Sequence, residues 1–484
     1  MKRTTATRKP TGFGSHVAET LRQAWPVLVS SWAGIAFGVL DTTMAGHASA
    51  ADLQAMSLSA SIYITIFVGL MGVVHALIPI LAQQYGAGRL SEVGRTWGQG
   101  VWLALALSVL GGACMLFPDL WLALSGQVEP AVRNGVAWYL RALIVALPAT
   151  LVFRTIYALG AAVSRPKTVM TINLASIVFK FVFNWIFIFG GLGVPALGAA
   201  GAGLSTAVVG WLCLGAGLWV LRRDPYYTRL RPRLERPNWS VQKELLRLGL
   251  PMGGSYLVEV CAFSFMALLV AREGMYVSGG HQIAANLAAL CYMMPMAVGV
   301  ASASLTAQAI GAQDLQRARA MGLAGMAVVA VGALATAAIL ILGRPWILEA
   351  YTDDLQVAAV AATLLRIIPF FHLCDAAQCI GSYLLRAYKV ALVPMLLQAV
   401  ALTGIGLLGG WWLGYGPGAG TLQPLLRVLA PGAPPGAATL WLMALAGLGL
   451  SAALLHGWYW HVVRVWARRA RPRAGASARA AASG

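Results

Sequence analysis

The sequence is poor in charged residues. Only 11% of its 484 residues are Asp, Glu, Lys or Arg, whereas ordinary soluble domains contain about 25%. Hydrophobic residues make up 59% of the chain, and the mean hydropathy is +0.73. This composition excludes an ordinary soluble domain and indicates a protein that lies in a membrane.

Sequence signatures of nucleotide sites, metal sites and enzymes are also missing. There is no GxxxxGK[ST] loop, so an ATP-driven activity is not indicated. The seven histidines form no HExxH-like cluster, and the six cysteines all fall in apolar runs without zinc-ligand spacing or an external disulfide framework. We therefore predict that the protein is not an enzyme and has no cofactor and no tightly bound metal.

Long apolar runs fill most of the chain. Each is near the roughly 20 residues that a helix needs to cross a bilayer. In hydrocarbon the backbone must satisfy its own hydrogen bonds, so runs of this length predict helices and not barrel strands. The fold class is predicted as all-α integral membrane, with about twelve transmembrane helices. The predicted spans are 24–45, 55–80, 97–117, 135–157, 168–190, 197–221, 249–271, 281–308, 322–343, 357–385, 392–414 and 437–463.

The basic residues are distributed unevenly along the chain. With the N-terminus placed inside, the inner segments hold 27 of the 35 Lys and Arg residues and the outer loops hold four. This is the positive-inside pattern. The net charge of +19 is then explained by the orientation of the chain in the membrane and by contact of its basic segments with anionic lipid. No nucleic-acid partner is therefore predicted. Both termini are expected in the cytoplasm.

Two halves of the chain repeat each other at a constant offset of 225 residues. The matched pairs include Arg22 and Arg247, Pro26 and Pro251, Gln83 and Gln308, Gly86 and Gly311, and Ala162 and Ala387. Six spans per half is an even number, so both halves start and end inside and are parallel repeats. Parallel repeats with a substrate site between two lobes are a transporter architecture.

The repeat also divides the chain into segments. We predict a cytoplasmic tail (1–20), an N-lobe of helices 1–6 (21–225), a cytoplasmic linker (226–245), a C-lobe of helices 7–12 (246–465) and a disordered basic tail (466–484).

Three of the 16 acidic residues, Asp41, Glu259 and Asp375, lie inside apolar runs. An ionisable group in hydrocarbon is costly and usually faces a cavity with a function. None of the three aligns with an acid in the other repeat. Asp41 lies roughly 8 Å inside the outer end of its helix, whereas Glu259 and Asp375 both lie roughly 15 Å from a cytoplasmic helix end. Two carboxylates brought together at that depth would make a proton site or a cation site.

Several motifs carry a resemblance to a known family. DTTMAGH in the first span, FNWIFIFGGLGVPALGAAGAGLSTA in spans 5–6, GHQIAANLAAL in span 8 and LLRAYKVALVPM after span 10 resemble the multidrug and toxic compound extrusion (MATE) family, of the NorM type. The resemblance runs from about residue 20 to 465. It implies a V-shaped bundle of two six-helix lobes that exports cationic drugs or dyes in exchange for inward H⁺ or Na⁺. It also implies a bacterial inner-membrane protein, and we expect a monomer.

The resemblance also assigns roles to single residues. Glu259 and Asp375 match the C-lobe acids that are linked to cation coupling, where Na⁺ could bind transiently. Tyr292, in CYMMPM, matches an aromatic residue near that site. In the N-lobe, Asp41 matches the family's acid and Asn184 matches the asparagine that partners it.

One position departs from the family pattern. NorM-type chains often have a second asparagine one turn before the asparagine of NWIF, and this chain has Lys180 there. Lys180 and Asn184 share a helix face, because residues i and i+4 are neighbours. In one interpretation the ammonium pairs with Asp41 and holds it ionised, titrates, or replaces a bound Na⁺. In the other, Lys180 faces lipid and extends to the interface, or packs neutral.

Further alternatives concern the exit and the family. Asp353 and Asp354, in the outer loop AYTDDLQ, could attract cations at the exit mouth or cap the helix that follows. A major-facilitator transporter also has two parallel six-span repeats, but QQYGAGRLSEVGR lacks its acidic signature. A lipid-linked oligosaccharide flippase would more often have a basic cavity, whereas the buried charge here is mainly acidic.

Overall fold

The predicted spans are helices in the structure, a computed structural model. It describes residues 12–122, 129–191 and 193–482, with the side chains of Ala50 and of 469–482 left out. Within these ranges, eleven helices are long and apolar enough to cross a membrane, and one bent helix pair brings the number to twelve. The all-α membrane fold predicted from the apolar runs is therefore confirmed.

The N-lobe contains six spans, and the second of them is interrupted. Its helices are α1 (Phe13–Ala48), α2 (Ala50–Val74), α3 (Leu77–Gly86), α4 (Leu90–Met115), α5 (Pro118–Leu122), α6 (Pro130–Ala162), α7 (Lys167–Phe189) and α8 (Ala199–Arg223). α2 and α3 together make one span, divided by a turn at His75 and Ala76. A short helix, α9 (Pro225–Thr228), follows the lobe.

The C-lobe also contains six spans, and two of them are irregular. Its helices are α10 (Trp239–Val270), α11 (Met275–Gly311), α12 (Leu315–Leu342), α13 (Arg344–Tyr351), α14 (Leu355–Leu364), α15 (Ile368–Ala387), α16 (Leu392–Gln398), a π-helix (Ala399–Gly409), α17 (Gly410–Gly414), α18 (Gln423–Leu429) and α19 (Pro435–Ala482). α14 and α15 form one span with a bend of 50°. α16, the π-helix and α17 together form the next span.

Two predicted boundaries differ from the structure. α1 begins at Phe13, inside the segment 1–20 that was predicted as a tail. α19 continues to Ala482, past residue 466, where the basic tail was predicted to begin. Ala and Arg dominate that segment, and both are strong helix formers that allow the last span to continue. Residues 1–11, 483 and 484 lie outside the described residues.

The two lobes meet at the helix ends that carry the basic segments, a surface called the basic face below. Gln83 Nε2, on α3, donates to the carbonyl oxygen of Ala387 at 2.8 Å. Gln308 Nε2, on α11, donates to the carbonyl oxygen of Ala162 at 2.7 Å. Donors and acceptors of the two bonds are related by the offset of 225 residues. The repeat therefore contributes a symmetric pair of bonds between the lobes.

Glycines allow the backbones to approach closely at the same contact. A Cβ atom on Gly86 would lie 1.9 Å from the carbonyl oxygen of Gln308, and one on Gly311 would lie 1.9 Å from that of Gln83. Real Cβ atoms do not come within 3.0 Å of such an atom. The two glycines thus allow α3 and α11 to touch through their backbones.

The linker between the lobes is held along α4. Residues 229–238 form no helix, and their carbonyl groups accept side-chain hydrogen bonds from α4. Gln99 Nε2 donates to Arg236 O at 2.9 Å, and Trp102 Nε1 donates to Glu235 O at 2.8 Å. A Cβ atom on Gly98 would lie 2.0 Å from Arg233 O, so the linker backbone occupies the space beside this glycine.

Gly98→Ala is expected to displace the linker from α4, because the added methyl group meets a backbone oxygen. The linker contains four arginines, so trypsin should cut the purified variant several-fold faster than the wild type and release two lobe-sized fragments. The control is Gly215→Ala, a helical glycine whose added Cβ meets nothing within 4 Å. Equal cleavage rates for the two variants would contradict this account.

Candidate functional site

The C-lobe contains a partly open cavity lined by the half-buried Glu259 and the buried Asp375, here called the carboxylate cavity. Its volume is about 370 Å³, and α10, α11, α15, α19 and the π-helix line it. Glu259 from α10 and Asp375 from α15 reach the cavity from different helices. Phe263, Met293 and Phe371 form part of its apolar wall. The structure therefore brings together the two acids that the sequence analysis paired.

Neutral side chains surround the Glu259 carboxylate. Gln378 Nε2 donates to Glu259 Oε1 at 2.9 Å, and Gln398 Nε2 donates to the same oxygen at 3.2 Å. Tyr292 Oη donates to Glu259 Oε2 at 3.5 Å, at the limit of a hydrogen bond. Gln398 Nε2 also donates to Gln378 Oε1 at 2.7 Å, which ties the two amides together. The carboxylate is thus held in place by three groups that carry no charge.

Among the described residues, neither acid of the carboxylate cavity forms an ion pair, and Arg386 acts on Glu259 only from beyond ion-pair distance. In the described part of the chain, no Lys, Arg or His nitrogen lies within 4.0 Å of the oxygens of Glu259 or Asp375. The two carboxylates interact electrostatically with each other. Asp375 is nearly buried, at 9% exposure. A pair of acids in this setting can be neutralised by a proton or by a bound cation from solution.

The π-helix shapes one wall of the carboxylate cavity. Leu402, Gly406 and Leu407 from the π-helix line it, and Gln398 immediately precedes the first π residue. Gly447 of α19 lets α19 and the π-helix approach closely at this wall, because a Cβ atom on Gly447 would lie 2.7 Å from Ala401 O. Such π segments occur frequently at functional sites. Here the π segment begins directly after Gln398, which contacts Glu259.

A second polar cluster lies in the N-lobe between α1, α7 and α8. Lys180 Nζ lies 2.8 Å from Asp41 Oδ1, and Asn184 Nδ2 donates to the same oxygen at 2.6 Å. Lys180 and Asn184 are both fully buried. The contact agrees with the interpretation that pairs Lys180 with Asp41, and it rules out the lipid-facing alternative for Lys180. The roles of Asp41, Asn184 and Lys180 in transport remain predictions.

One of the two outer-loop acids, Asp354, has a structural function in the fold. Asp354 Oδ1 accepts hydrogen bonds from the backbone N–H groups of Gln356 at 2.8 Å and Val357 at 3.1 Å. It is therefore the N-cap of α14, as one of the two interpretations requires. Asp353 is exposed beside it. A role for either acid at the exit mouth remains a prediction.

Several polar residues of the two clusters were missed by sequence reasoning. Gln378 and Gln398 hold Glu259, and Thr206 contacts Lys180. None of these side chains is charged, so the search for acids in apolar runs passes over them. The spacing of Gln378, three residues after Asp375, was the available signal, because residues i and i+3 lie on one helix face.

Comparison with known protein sequences agrees with the two-lobe fold. The MatE family model matches residues 26–186 and 251–412, one segment in each lobe. A probable multidrug resistance protein NorM from Aromatoleum aromaticum is 38% identical over 395 residues, covering 81% of this chain and 85% of that protein. The equivalent protein from Neisseria meningitidis serogroup B is 37% identical over 399 residues, covering 81% of this chain and 86% of that protein.

Solved structures share the fold. The crystal structure of the eukaryotic MATE transporter AtDTX14 has a TM-score of 0.84 at 17% identity and covers 95% of this chain and all of that one. The Vibrio cholerae MATE transporter VcmN in its bent form has a TM-score of 0.80 at 17% identity and covers 94% of this chain and 98% of that one. Because the family model matches most of both lobes, the chain belongs to the MatE family, the MATE transporters that its motifs resemble.

Proposed function

We propose that this protein is a secondary active multidrug exporter that moves organic cations and cationic dyes out of the cell in exchange for inward H⁺ or Na⁺. The observation that carries the proposal is the carboxylate cavity, where neither Glu259 nor Asp375 forms an ion pair with any residue that the structure describes. The names of the relatives support multidrug export. Membership of the MatE family sets aside a major-facilitator transporter.

The chemistry of the exchange follows from competition for negative charge. A proton or Na⁺ that binds at Glu259 and Asp375 lowers the negative charge of the carboxylate cavity by one unit and so weakens its attraction for a cationic substrate. Ion and drug then weaken each other's binding by the same factor, because coupling between two ligands is reciprocal. The ion gradient can therefore drive drug release on the outer side. Tyr292, Gln378 and Gln398 position Glu259 for this role.

The setting of the protein is part of the proposal. We place it in the inner membrane of a bacterial cell with both termini in the cytoplasm, because the basic segments lie on the corresponding side. The relatives with similar sequences are bacterial. The basic face is then cytoplasmic, and the lobes are in contact on that side. We further propose that the chain works as a monomer without a cofactor.

Dye accumulation tests the proposal in cells. An efflux-deficient bacterial host that expresses the chain should accumulate several-fold less ethidium at steady state than the same host with an empty vector. Collapse of the membrane ion gradients should remove the difference, because a secondary transporter has no other energy source. Equal accumulation in both hosts at verified expression would contradict drug export.

Reconstitution identifies the coupling ion. Proteoliposomes that contain the purified chain are given an imposed pH gradient without Na⁺, or an imposed Na⁺ gradient at equal pH, and dye movement is followed. Coupling to H⁺ predicts dye movement under the pH gradient alone, and coupling to Na⁺ predicts movement under the Na⁺ gradient alone. Dye movement at the same rate with neither gradient would contradict antiport.

A further inference from the structure

The ammonium group of Lys180 sits in a complete cage of oxygen atoms. Lys180 Nζ lies 2.8 Å from Asp41 Oδ1, and it donates to Thr206 Oγ1 at 2.6 Å and to Ala202 O at 3.2 Å. An ammonium group has three N–H donors and no acceptor. The three oxygens therefore use all of its hydrogen-bonding capacity, which is what the full burial of Lys180 requires.

Hydrogen bonds among the cage residues leave oxygen lone pairs directed at the position of Lys180 Nζ. Thr206 Oγ1 donates its proton to Ala202 O at 3.0 Å, which leaves lone pairs of the hydroxyl oxygen free to accept from Lys180. Asp41 Oδ1 accepts from both Lys180 and Asn184, so its lone pairs also face donors. Each of the three oxygens thus presents a lone pair to the same point. Lys180 Nζ occupies this point.

The packing of α7 against α8 brings the lysine to the cage. A Cβ atom on Gly201 would lie 2.3 Å from Phe187 O, so this glycine lets the two helices approach through their backbones. Ala202, the next residue, has a small side chain that leaves its carbonyl oxygen accessible to Lys180 Nζ. The oxygens that contact the ammonium come from α1 and α8, and Lys180 enters from α7. The cage therefore exists apart from the residue that fills it.

We propose that Lys180 is a tethered occupant of a monovalent-cation site in the N-lobe. Its ammonium group takes the place that a free cation would have, pairs with Asp41, and keeps Na⁺ from binding there. The two lobes are then chemically distinct, because the N-lobe acid carries its own cation and the carboxylate cavity does not. Ions from solution are confined to Glu259 and Asp375. The occupancy of the cage does not depend on the transport reaction.

Removal of the tethered ammonium should convert the cage into a binding site for a small free cation. In Lys180→Ala the three oxygens remain and the space of the side chain is vacant. The thermal unfolding of the purified full-length protein is measured in choline chloride, methylammonium chloride and NaCl at equal ionic strength. We expect methylammonium to raise the unfolding midpoint of Lys180→Ala by about 3 °C, saturably, because a ligand that binds only the folded state stabilises it. The wild type should show no such rise.

Two variants separate cation binding from general salt effects. Lys180→Met fills much of the space of the lysine side chain without a charge. The double variant Asp41→Asn with Lys180→Ala removes the anion of the cage. Methylammonium should raise the unfolding midpoint of neither variant more than that of the wild type. A response of Lys180→Ala that does not exceed that of Lys180→Met would overturn the proposal. Larger stabilisation of Lys180→Ala by Na⁺ than by methylammonium would support it as well, because both are small monovalent cations.

The test remains decisive if Lys180→Ala does not fold in choline chloride. The variant is then solubilised and purified in methylammonium chloride, and recovery of monodisperse protein only in that salt supports the proposal. The double variant Asp41→Asn with Lys180→Met removes both buried charges and serves as the folding control. Failure of Lys180→Ala in both salts, while this double variant is recovered, would overturn the proposal. These measurements are the unfolding midpoint and the recovery of monodisperse protein, and none of them depends on ethidium export. A failure of the cation-site proposal can therefore be distinguished from a failure of the proposed transport function.

Discussion

Ethidium export is expected to be lost when either acid of the carboxylate cavity is made neutral. Glu259→Gln and Asp375→Asn keep the shape of each side chain but remove the charge that a proton or Na⁺ would neutralise. We expect the initial rate of energised ethidium efflux to fall by at least about tenfold. This fall corresponds to an increase of about 1.4 kcal/mol in the activation free energy of transport. The measurement is the rate of dye loss from preloaded cells after addition of an energy source, at matched expression.

A matched control distinguishes this effect from the loss of any acid. Glu349 lies on α13, is exposed and takes no part in the carboxylate cavity, so Glu349→Gln should export ethidium at the wild-type rate. Wild-type rates in both Glu259→Gln and Asp375→Asn would show that the cavity does not couple transport to an ion. A loss in only one of the variants would assign the coupling ion to that acid.

Closure of the basic face is expected to fail when a methyl group is added at the contact between the lobes. In Gly86→Ala the new Cβ would lie 1.9 Å from Gln308 O, and a backbone oxygen inside a helix cannot move aside alone. The lobes must therefore separate at this face, and the hydrogen bonds of Gln83 and Gln308 must lengthen. We expect loss of ethidium export together with a more accessible basic face.

Accessibility is measured at a residue between the lobes. Ser304 is fully buried, and its hydroxyl donates to Ala161 O at 2.7 Å. Ser304→Cys, in a background without the native cysteines, should react several-fold faster with a membrane-impermeant maleimide when Gly86→Ala is present, if the reagent is applied from the basic face. Gly215→Ala, whose added Cβ has no close neighbour, is the control. Equal labelling in the two glycine variants would refute the steric argument.

The sequence predicts the fold well because each level of organisation has a strong physical signal. Apolar runs of about 20 residues specify spans, which the structure confirms, whereas the orientation that the Lys and Arg residues indicate stays a prediction. The offset of 225 residues identifies the repeat, and the matches at Gln83 and Gly86 mark the contact between the lobes. The cost of charge in an apolar run identifies Asp41, Glu259 and Asp375 as candidates from their sequence positions alone.

Other features carry no such signal. Gln378 and Gln398 are neutral, so their burial beside Glu259 follows from helix packing that a single sequence does not specify. The π-helix depends on a local change of hydrogen-bond register, and its composition is that of any apolar helix. The bend of 50° between α14 and α15 likewise has no counterpart at the aligned part of α6, which is continuous. The pairing of Lys180 with Asp41 was only one of two interpretations of the sequence. In the other, Lys180 faces lipid or packs neutral.

The pair of hydrogen bonds between the lobes has a consequence for the origin of the chain. Gln83 reaches Ala387 while Gln308 reaches Ala162, so each repeat offers the same donor and the same acceptor to the other. This is the pattern of an isologous interface, in which two identical surfaces are related by a two-fold axis. A separate six-helix chain with the N-lobe's glutamine, glycine and alanine at these positions would be self-complementary and would assemble as a homodimer. The symmetric pair of hydrogen bonds is the arrangement expected if the two lobes arose by duplication of one six-helix unit.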